Sequence, residues 1–287
     1  MKKILITGAK SYVGTSFVKW VSQYPGTYSI DTLSLRDDKW KETSFKGYDV
    51  VFHTVGIAHV DAKPEMESLY YKVNRDLTIE AAQKAKKDGV KQFVFMSSII
   101  VYGDSSYINK PRIITKDTVP TPANFYGNSK LQAEEGIKAL ESDDFNISII
   151  RPPMIYGKES KGNYPKLAKA AQKLPVFPDI ENQRSMLHID NLSEFIRMIV
   201  ENEESGTFFP QNSEYVKTSE MVKIIAEVHN RKIKMTRIFN PILGAVSKKV
   251  GIVNKVFGNL VYDQSLSDYK ENYRVWNLNE SIIATEK

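Results

Sequence analysis

The chain has 287 residues, 41% of them hydrophobic and 26% charged, enough for a full core in one large domain or slightly more. It contains no cysteine, which excludes disulfide frameworks, thiolate catalysis and cysteine-ligated zinc. The net charge of +6 is local: the stretch from Arg231 to Tyr262 holds seven Lys or Arg and no acid, leaving the rest at −1. With no recognisable nucleic-acid-binding motif beside it, this basicity argues against a nucleic-acid partner. The four histidines, His53, His59, His188 and His229, are scattered without metal-site spacing, so packing or hydrogen-bonding roles are expected and no metal is assigned. Met1-Lys2-Lys3 runs directly into Ile4-Leu5-Ile6, too short for a signal-peptide core, and no stretch approaches about 18 apolar residues, so a cytoplasmic protein is expected.

In chain order, strand-like runs alternate with helical ones. Lys3 to Thr7 is followed by a helix from about Gly14 to Gln23, then strands Tyr28 to Leu35 and Val50 to Thr54. Helical spacing resumes from Pro64 to Asp88 with Gly89 as its stop, before the strand Gln92 to Met96. Pro120-Thr-Pro122 breaks the chain ahead of a helix from Tyr126 to about Leu140, and Ile147 to Ile150 is a buried strand closed by Pro152-Pro153. This is an α/β order, a Rossmann-type doubly wound parallel sheet over residues 1–153 with returning segments. Residues 154–287, mostly loops, short helices and basic segments, read as a smaller substrate-binding lobe capping the sheet's carboxyl edge, where such folds bind ligands.

Three local patterns carry chemistry. Thr7-Gly8-Ala-Lys-Ser11-Tyr12-Val13-Gly14 is a glycine-bearing turn between strand and helix, whose amides suit a pyrophosphate; serine stands at position 11, where a middle glycine is expected. At the end of the second strand, about 20 residues on, an acid would take the ribose 2′-hydroxyl of NAD, but Ser34 occupies that place and Arg36 follows. A hydroxyl with a guanidinium suits a 2′-phosphate, which favours NADP(H) and leaves NAD(H) possible; the alternative is that Arg36 is a solvated loop charge and Asp31 or Asp37 plays the acidic part. Finally, Tyr126-Gly-Asn-Ser-Lys130 puts a phenol and an ammonium on one helix face, a spacing that lowers the phenol's pKa toward neutrality, and Ser98 can hold a substrate oxygen within its proton reach.

These residues resemble the extended short-chain dehydrogenase/reductases that act on nucleotide sugars, the NAD-dependent epimerase/dehydratase family. The resemblance rests on Thr7-Gly8…Gly14, Val51-Phe-His-Thr-Val-Gly56, Ser97-Ser98…Val101-Tyr102-Gly103, Tyr126…Lys130 and Arg151-Pro-Pro-Met-Ile-Tyr-Gly157. It implies that Ser98 and Tyr126 are catalytic, that Lys130 holds the nicotinamide ribose, that Gly56 lines the cofactor channel and that Pro152 lies beside the nicotinamide. In the second half it implies diphosphate contacts from Asn163 and Arg184, with Tyr164 and Phe177 either contacting ligand or packing in the core. The acid pair that serves the family's 4,6-dehydratases is replaced by Ile99 and Ile100, which argues against dehydration, and Met154 stands where the epimerases usually have Asn. The second half is most similar to bacterial surface-polysaccharide members. That similarity implies an NADPH-dependent reduction of the 4-keto group of a UDP-2-acetamido-2,6-dideoxy-4-hexulose. The alternatives are a UDP-hexose 4-epimerase with tightly held NAD and, in another class, a non-catalytic NADP-sensing module.

The family's dimer contact implies a homodimer through the helices Pro64 to Asp88 and Tyr126 to Leu140, with Ala81, Ala82 and Ala85 allowing close approach. In the basic segment, Ile242, Val246, Val250, Val253, Val256, Phe257 and Leu260 recur at helical spacing beside Lys248, Lys249 and Lys255. The stripe reads either as a lobe helix packed on the core or as a surface helix touching anionic membrane, with Pro241, Gly244, Gly251 and Gly258 against a long continuous helix.

Overall fold

The computed structural model describes residues 1–58, 63–108, 110–247 and 251–287. His59, Lys248, Lys249 and Val250 lie outside the described residues. The chain forms two compact units, one of residues 1–103, 120–152 and 192–210, the other of residues 104–119, 153–191 and 211–287.

The first unit is built on six parallel strands: β1 (Lys2–Thr7), β2 (Tyr28–Leu33), β3 (Val50–His53), β4 (Gln92–Met96), β5 (Asn146–Ile150) and β6 (Gly206–Phe208). Their spatial order is β6-β5-β4-β3-β1-β2, so the chain leaves β1 in one direction for β2 and in the other for β3. That reversal opens a crevice at the carboxyl ends of β1 and β3. The central strands read as unbroken apolar runs because both faces are covered; every residue of β3 and β4 is buried. On one face Leu5, Val51, Phe93, Phe95, Ile147 and Ile149 pack against the helices α2 (Leu77–Lys87) and α3 (Phe125–Lys138), with α1 (Tyr12–Val21) following β1.

Ala81, Ala82 and Ala85 belong to this core and are fully buried within the chain. They therefore let α2 approach its own sheet, which corrects their expected part in a contact with a second copy. The helix expected from Pro64 to Asp88 is also not uniform. A 3-10 turn at Pro64–Met66 and a short α-helix at Glu67–Tyr70 lead into a π-turn, Tyr71–Asp76, before α2 begins. The wider turn carries a fully buried polar side chain, Asn74. Gly89, at φ +82°, follows the helix with the left-handed geometry that ends it.

The second unit has helices Tyr164–Lys173, Thr218–Val228 and Leu278–Glu286 and three short parallel pairings. In the basic segment a strand, Lys234–Thr236, precedes the helices Asn240–Ser247 and Gly251–Phe257. Phe257 lies in the unit's core, Leu243, Val253 and Val256 pack against it, and Ile242 stays 65% exposed, so the stripe does not lie wholly on the surface. Among the described residues no helix is long and apolar enough to cross a membrane.

His53, at the end of β3, is fully buried; its Nδ1 bonds Thr7 Oγ1 at 2.8 Å, its Nε2 bonds Thr78 Oγ1 at 3.1 Å, and its ring stacks on Phe93. Burial, with a further push from the Lys130 ammonium, holds its pKa down to about 3 from an ordinary 6.5. Between those values only the unfolded chain takes up the proton, so stability present above pH 6.5 is lost as pH falls toward 3, on the order of 3 kcal/mol by pH 4. His53→Asn is therefore expected to be the less stable protein at pH 7, with the gap in urea midpoint closing toward pH 4. A gap independent of pH would show that the His53 proton takes no part.

Candidate functional site

At the carboxyl end of β1, Gly8 has φ +96°, and a Cβ there would lie 2.7 Å from Thr54 Oγ1. Only glycine fits the turn. Ser11 caps α1: with φ −72° and ψ 143° its backbone needs no glycine, and its hydroxyl accepts from Gly14 N at 3.0 Å and meets Thr54 Oγ1 at 2.6 Å. Thr54 in turn donates to Thr7 O at 2.8 Å. The departure at position 11 thus replaces a glycine with a capping hydroxyl that ties the turn to the end of β3. Tyr12 and Val13 open α1. A cavity of about 1150 Å³ lies over this turn, lined among others by Gly8, Ser11, Ser34, Arg36, Thr54 and Gly56. Glycine-limited backbone, helix N-terminus and cavity together fit a dinucleotide.

Ser34 and Arg36 are exposed at the end of β2, with Arg36 N directed to Ser34 Oγ at 3.4 Å. Of the acids named as alternatives, Asp37 also lines this cavity. Asp31 accepts the Tyr48 hydroxyl at 2.7 Å, and Asp37 caps a short 3-10 helix by accepting Lys39 N at 3.1 Å.

On α3, Tyr126, Lys130 and Glu134 follow at intervals of four on one face. Lys130 is 5% exposed and its Nζ donates to Met96 O, the last carbonyl of β4, at 2.8 Å. A Cβ on Gly56 would sit 3.0 Å from that nitrogen, so the absence of a side chain there admits the lysine. Burial lowers the Lys130 pKa to about 8, against which the Glu134 carboxylate raises it. Ser98, directly beyond β4, caps the 3-10 helix Ile99–Tyr102 and accepts from Ile100 N at 3.3 Å. Burial pushes the Tyr126 phenol up to about 12, while a hydrogen bond with the Ser98 side chain holds it down and Tyr70 adds to the rise. Here the structure corrects the expectation of a phenol near neutrality: the Lys130 ammonium is spent on the Met96 carbonyl, and desolvation wins. Pro152 is buried, and its carbonyl accepts Ile99 N at 2.9 Å, on the other side of Ser98.

The first unit thus brings together Gly8, Ser11, Gly14, Ser34, Arg36 and Gly56 at the crevice and Ser98, Tyr126 and Lys130 at the end of β4. The other expected residues belong to the second unit. Arg184 Nη1 bonds only neutral groups, Ser105 Oγ at 3.3 Å, Gly258 O at 3.3 Å and Asn254 O at 3.5 Å, and desolvation lowers its pKa to about 10. Among the described residues no carboxylate pairs with it, and it is half-buried. Asn163 starts the helix Tyr164–Lys173 without a side-chain capping bond. Tyr164 is 3% exposed, donates to Glu286 Oε1 at 2.8 Å and stacks on Tyr156, and Phe177 lies in the same core against Phe257. Both are packing residues, which corrects the ligand contacts considered for them.

Two residues of the site escape sequence reasoning. Thr54 is one; only its position after β3 hints at it. The other is Asn74, whose Oδ1 accepts Ile57 N at 2.7 Å and whose Nδ2 donates to Ile57 O at 3.2 Å and to Ser129 Oγ at 3.1 Å. It locks the loop after Gly56 to the turn of α3 that carries Lys130.

The profile of the NAD dependent epimerase/dehydratase family matches residues 4–209. The chain is 31% identical over 294 residues to a UDP-glucose 4-epimerase of Vibrio cholerae, covering 92% of this chain and 88% of that one. It is 30% identical over 222 residues to the N-acetyl-alpha-D-glucosaminyl-diphospho-ditrans,octacis-undecaprenol 4-epimerase of Escherichia coli O157:H7, covering 71% of this chain and 64% of that one. Among solved structures, a dTDP-4-dehydrorhamnose reductase of Bacillus anthracis in complex with NADP superposes with a TM-score of 0.74 at 18% identity, covering 99% of this chain and 98% of that one. A UDP-N-acetylglucosamine 4-epimerase of Bacillus cereus gives 0.72 at 17% identity, covering 100% and 96%. At these identities the structures share the fold.

Asn74→Ala would leave the half-buried Ile57 amide and carbonyl without their side-chain partner. A loss of about 2–4 kcal/mol in urea unfolding is expected, together with weaker dinucleotide binding by titration. Unchanged dinucleotide affinity in a folded variant would remove Asn74 from the site.

Proposed function

The chain belongs to the NAD dependent epimerase/dehydratase family, and from that membership and its site we propose that it is an NADPH-dependent 4-ketoreductase of a UDP-2-acetamido-2,6-dideoxy-4-hexulose. The observation that carries the reductase over its rivals is the end of β2. Ser34 and Arg36 line the cavity there beside Asp37 and Asp38, with Asp31 bonded to Tyr48 and Asp37 capping a short helix through one carboxylate oxygen. A guanidinium with a hydroxyl suits the 2′-phosphate of NADPH, the dinucleotide suited to reduction.

In this reading Gly8, Ser11, Tyr12, Val13 and Gly14 hold the pyrophosphate, and Gly56 and Pro152 border the nicotinamide. When bound, the dinucleotide supplies the hydride. Tyr126 is protonated at neutral pH, since its pKa stands near 12, and donates its proton to the C4 oxygen. Ser98 orients the carbonyl through its hydroxyl. Lys130 holds the ribose and keeps a positive charge beside the developing phenolate, the stage at which the pKa effect expected from its spacing would act. Arg184 and Asn163 serve the sugar-nucleotide diphosphate, Arg184 having no carboxylate partner among the described residues. The product would be a 6-deoxy-N-acetylhexosamine donor for surface polysaccharide, made by a homodimer.

A second reading, a UDP-hexose 4-epimerase that keeps its dinucleotide, is favoured by the name of the Vibrio cholerae relative, and 4-epimerisation as such by that of the Escherichia coli relative. It uses the same residues, with Tyr126 first taking the C4 hydroxyl proton.

Arg36→Ala is expected to weaken NADPH binding about 10- to 150-fold, as for loss of a charge-assisted bond of about 1.5–3 kcal/mol, and to leave NADH little changed. Titration of both dinucleotides checks it; an equal effect on the two would remove the argument for NADPH.

A further inference from the structure

The proposed chemistry uses Ser98, Tyr126 and Lys130 and leaves unused a charged pair buried beside them. Glu134, 1% exposed at the side chain, and Arg151, 7% exposed, form a bidentate ion pair. Arg151 Nε lies 3.0 and 3.2 Å from the two carboxylate oxygens, and Nη2 lies 2.5 Å from Oε2. Burying such a pair gives little net stability, and an apolar pair of like volume would often serve the fold as well. A role in geometry is the better explanation, and the remaining bonds of the pair say which geometry.

Each of its ends reaches a neighbour of Ser98. Ser97 Oγ donates to Glu134 Oε1, which fixes the residue just before. Arg151 Nη1 donates to the Tyr102 hydroxyl at 2.6 Å, and its guanidinium lies 5.2 Å from the Tyr102 ring centre and 5.8 Å from that of Phe209. Tyr102 closes the 3-10 helix that Ser98 caps. The backbone on either side is bonded in the same register: Ser97 N to Ile150 O at 2.8 Å and Ile99 N to Pro152 O at 2.9 Å. Ser98 is therefore flanked before, after and at the far end of its own helical turn by bonds that run through Glu134, Arg151 or the residues flanking Arg151.

We propose that Glu134 and Arg151 are positioning residues, a buried clamp that sets the Ser98 hydroxyl against the Tyr126 phenol and holds the Pro152 peptide in place beside it. This deepens the reading given under Proposed function and rests on it for the identity of the reacting groups. The pair also bears on Lys130, one turn before Glu134 on α3. Of the groups that interact with that lysine, the Glu134 carboxylate favours its ammonium, and the lysine in turn holds the His53 imidazole neutral.

The test uses the full chain carrying E134L and R151M together, an apolar pair that spares the fold an unpaired charge, and E134Q alone as the variant that leaves Arg151 uncompensated. For the double variant we expect a melting temperature near that of the wild type, dinucleotide affinity within about threefold, and sugar KM little changed. Its kcat should fall about 10- to 100-fold, as for a displaced catalytic group. In E134Q the alkaline limb of kcat should move to lower pH, as Lys130 loses the carboxylate that holds its proton. A folded double variant with kcat within twofold of the wild type would overturn the clamp, and so would an unmoved alkaline limb in an otherwise impaired E134Q. A crystal structure of the double variant decides the matter without any assay. A displaced Ser98 with the Ile99–Pro152 bond broken supports the clamp, and an unmoved Ser98 overturns it. If the wild type itself turns over no UDP-sugar, the functional reading fails while the crystal structure still judges the clamp.

Discussion

A lysine sealed from water must give its protons to something, and in this chain Lys130 gives one to the carbonyl that ends β4. That bond fixes where α3 lies against the sheet, because the lysine can reach Met96 only if its helix face is turned to the strand ends. Once the face is set, Tyr126 and Glu134 are placed one turn to either side, since they share Lys130's spacing. Ser98, just past Met96, then stands beside the phenol. Gly56 must lack a side chain to leave the lysine room, and Asn74 must turn inward to hold the loop beyond Gly56. The π-turn at Tyr71–Asp76 is the element that carries Asn74.

The same constraint explains the electrostatics. Desolvation lowers the pKa of Lys130 and raises that of Tyr126, so at neutral pH the site holds an ammonium near its titration point and a fully protonated phenol.

Much of this was legible in the sequence because period and chemistry coincide there. The strands announce themselves as apolar runs, the phosphate turn by Gly8 and Gly14, and the acid and its cation by a spacing of four. Other features depend on contacts between distant segments, which no local pattern carries. Ser11 looked like a defect in a glycine pattern, yet it is a helix cap bonded to Thr54, 43 residues away. Ala81, Ala82 and Ala85 looked suited to a partner helix because small residues mark any close approach, and only the fold shows that the neighbour is the chain's own sheet. Tyr164 and Phe177 carry side chains equally suited to ligand or core, and Glu286 and Phe257 settle them as core.

The central claim is that this chain moves a hydride from NADPH to C4 of a UDP-4-keto sugar. It is tested most directly by incubating the protein with NADPH deuterated at the transferring C4 position and the UDP-4-keto-6-deoxy-N-acetylhexosamine, then reading the product by NMR. The account predicts one deuterium at C4 of the sugar for each NADPH oxidised. A product free of deuterium, or interconversion of UDP-hexoses at C4 with no reductant added, would contradict it.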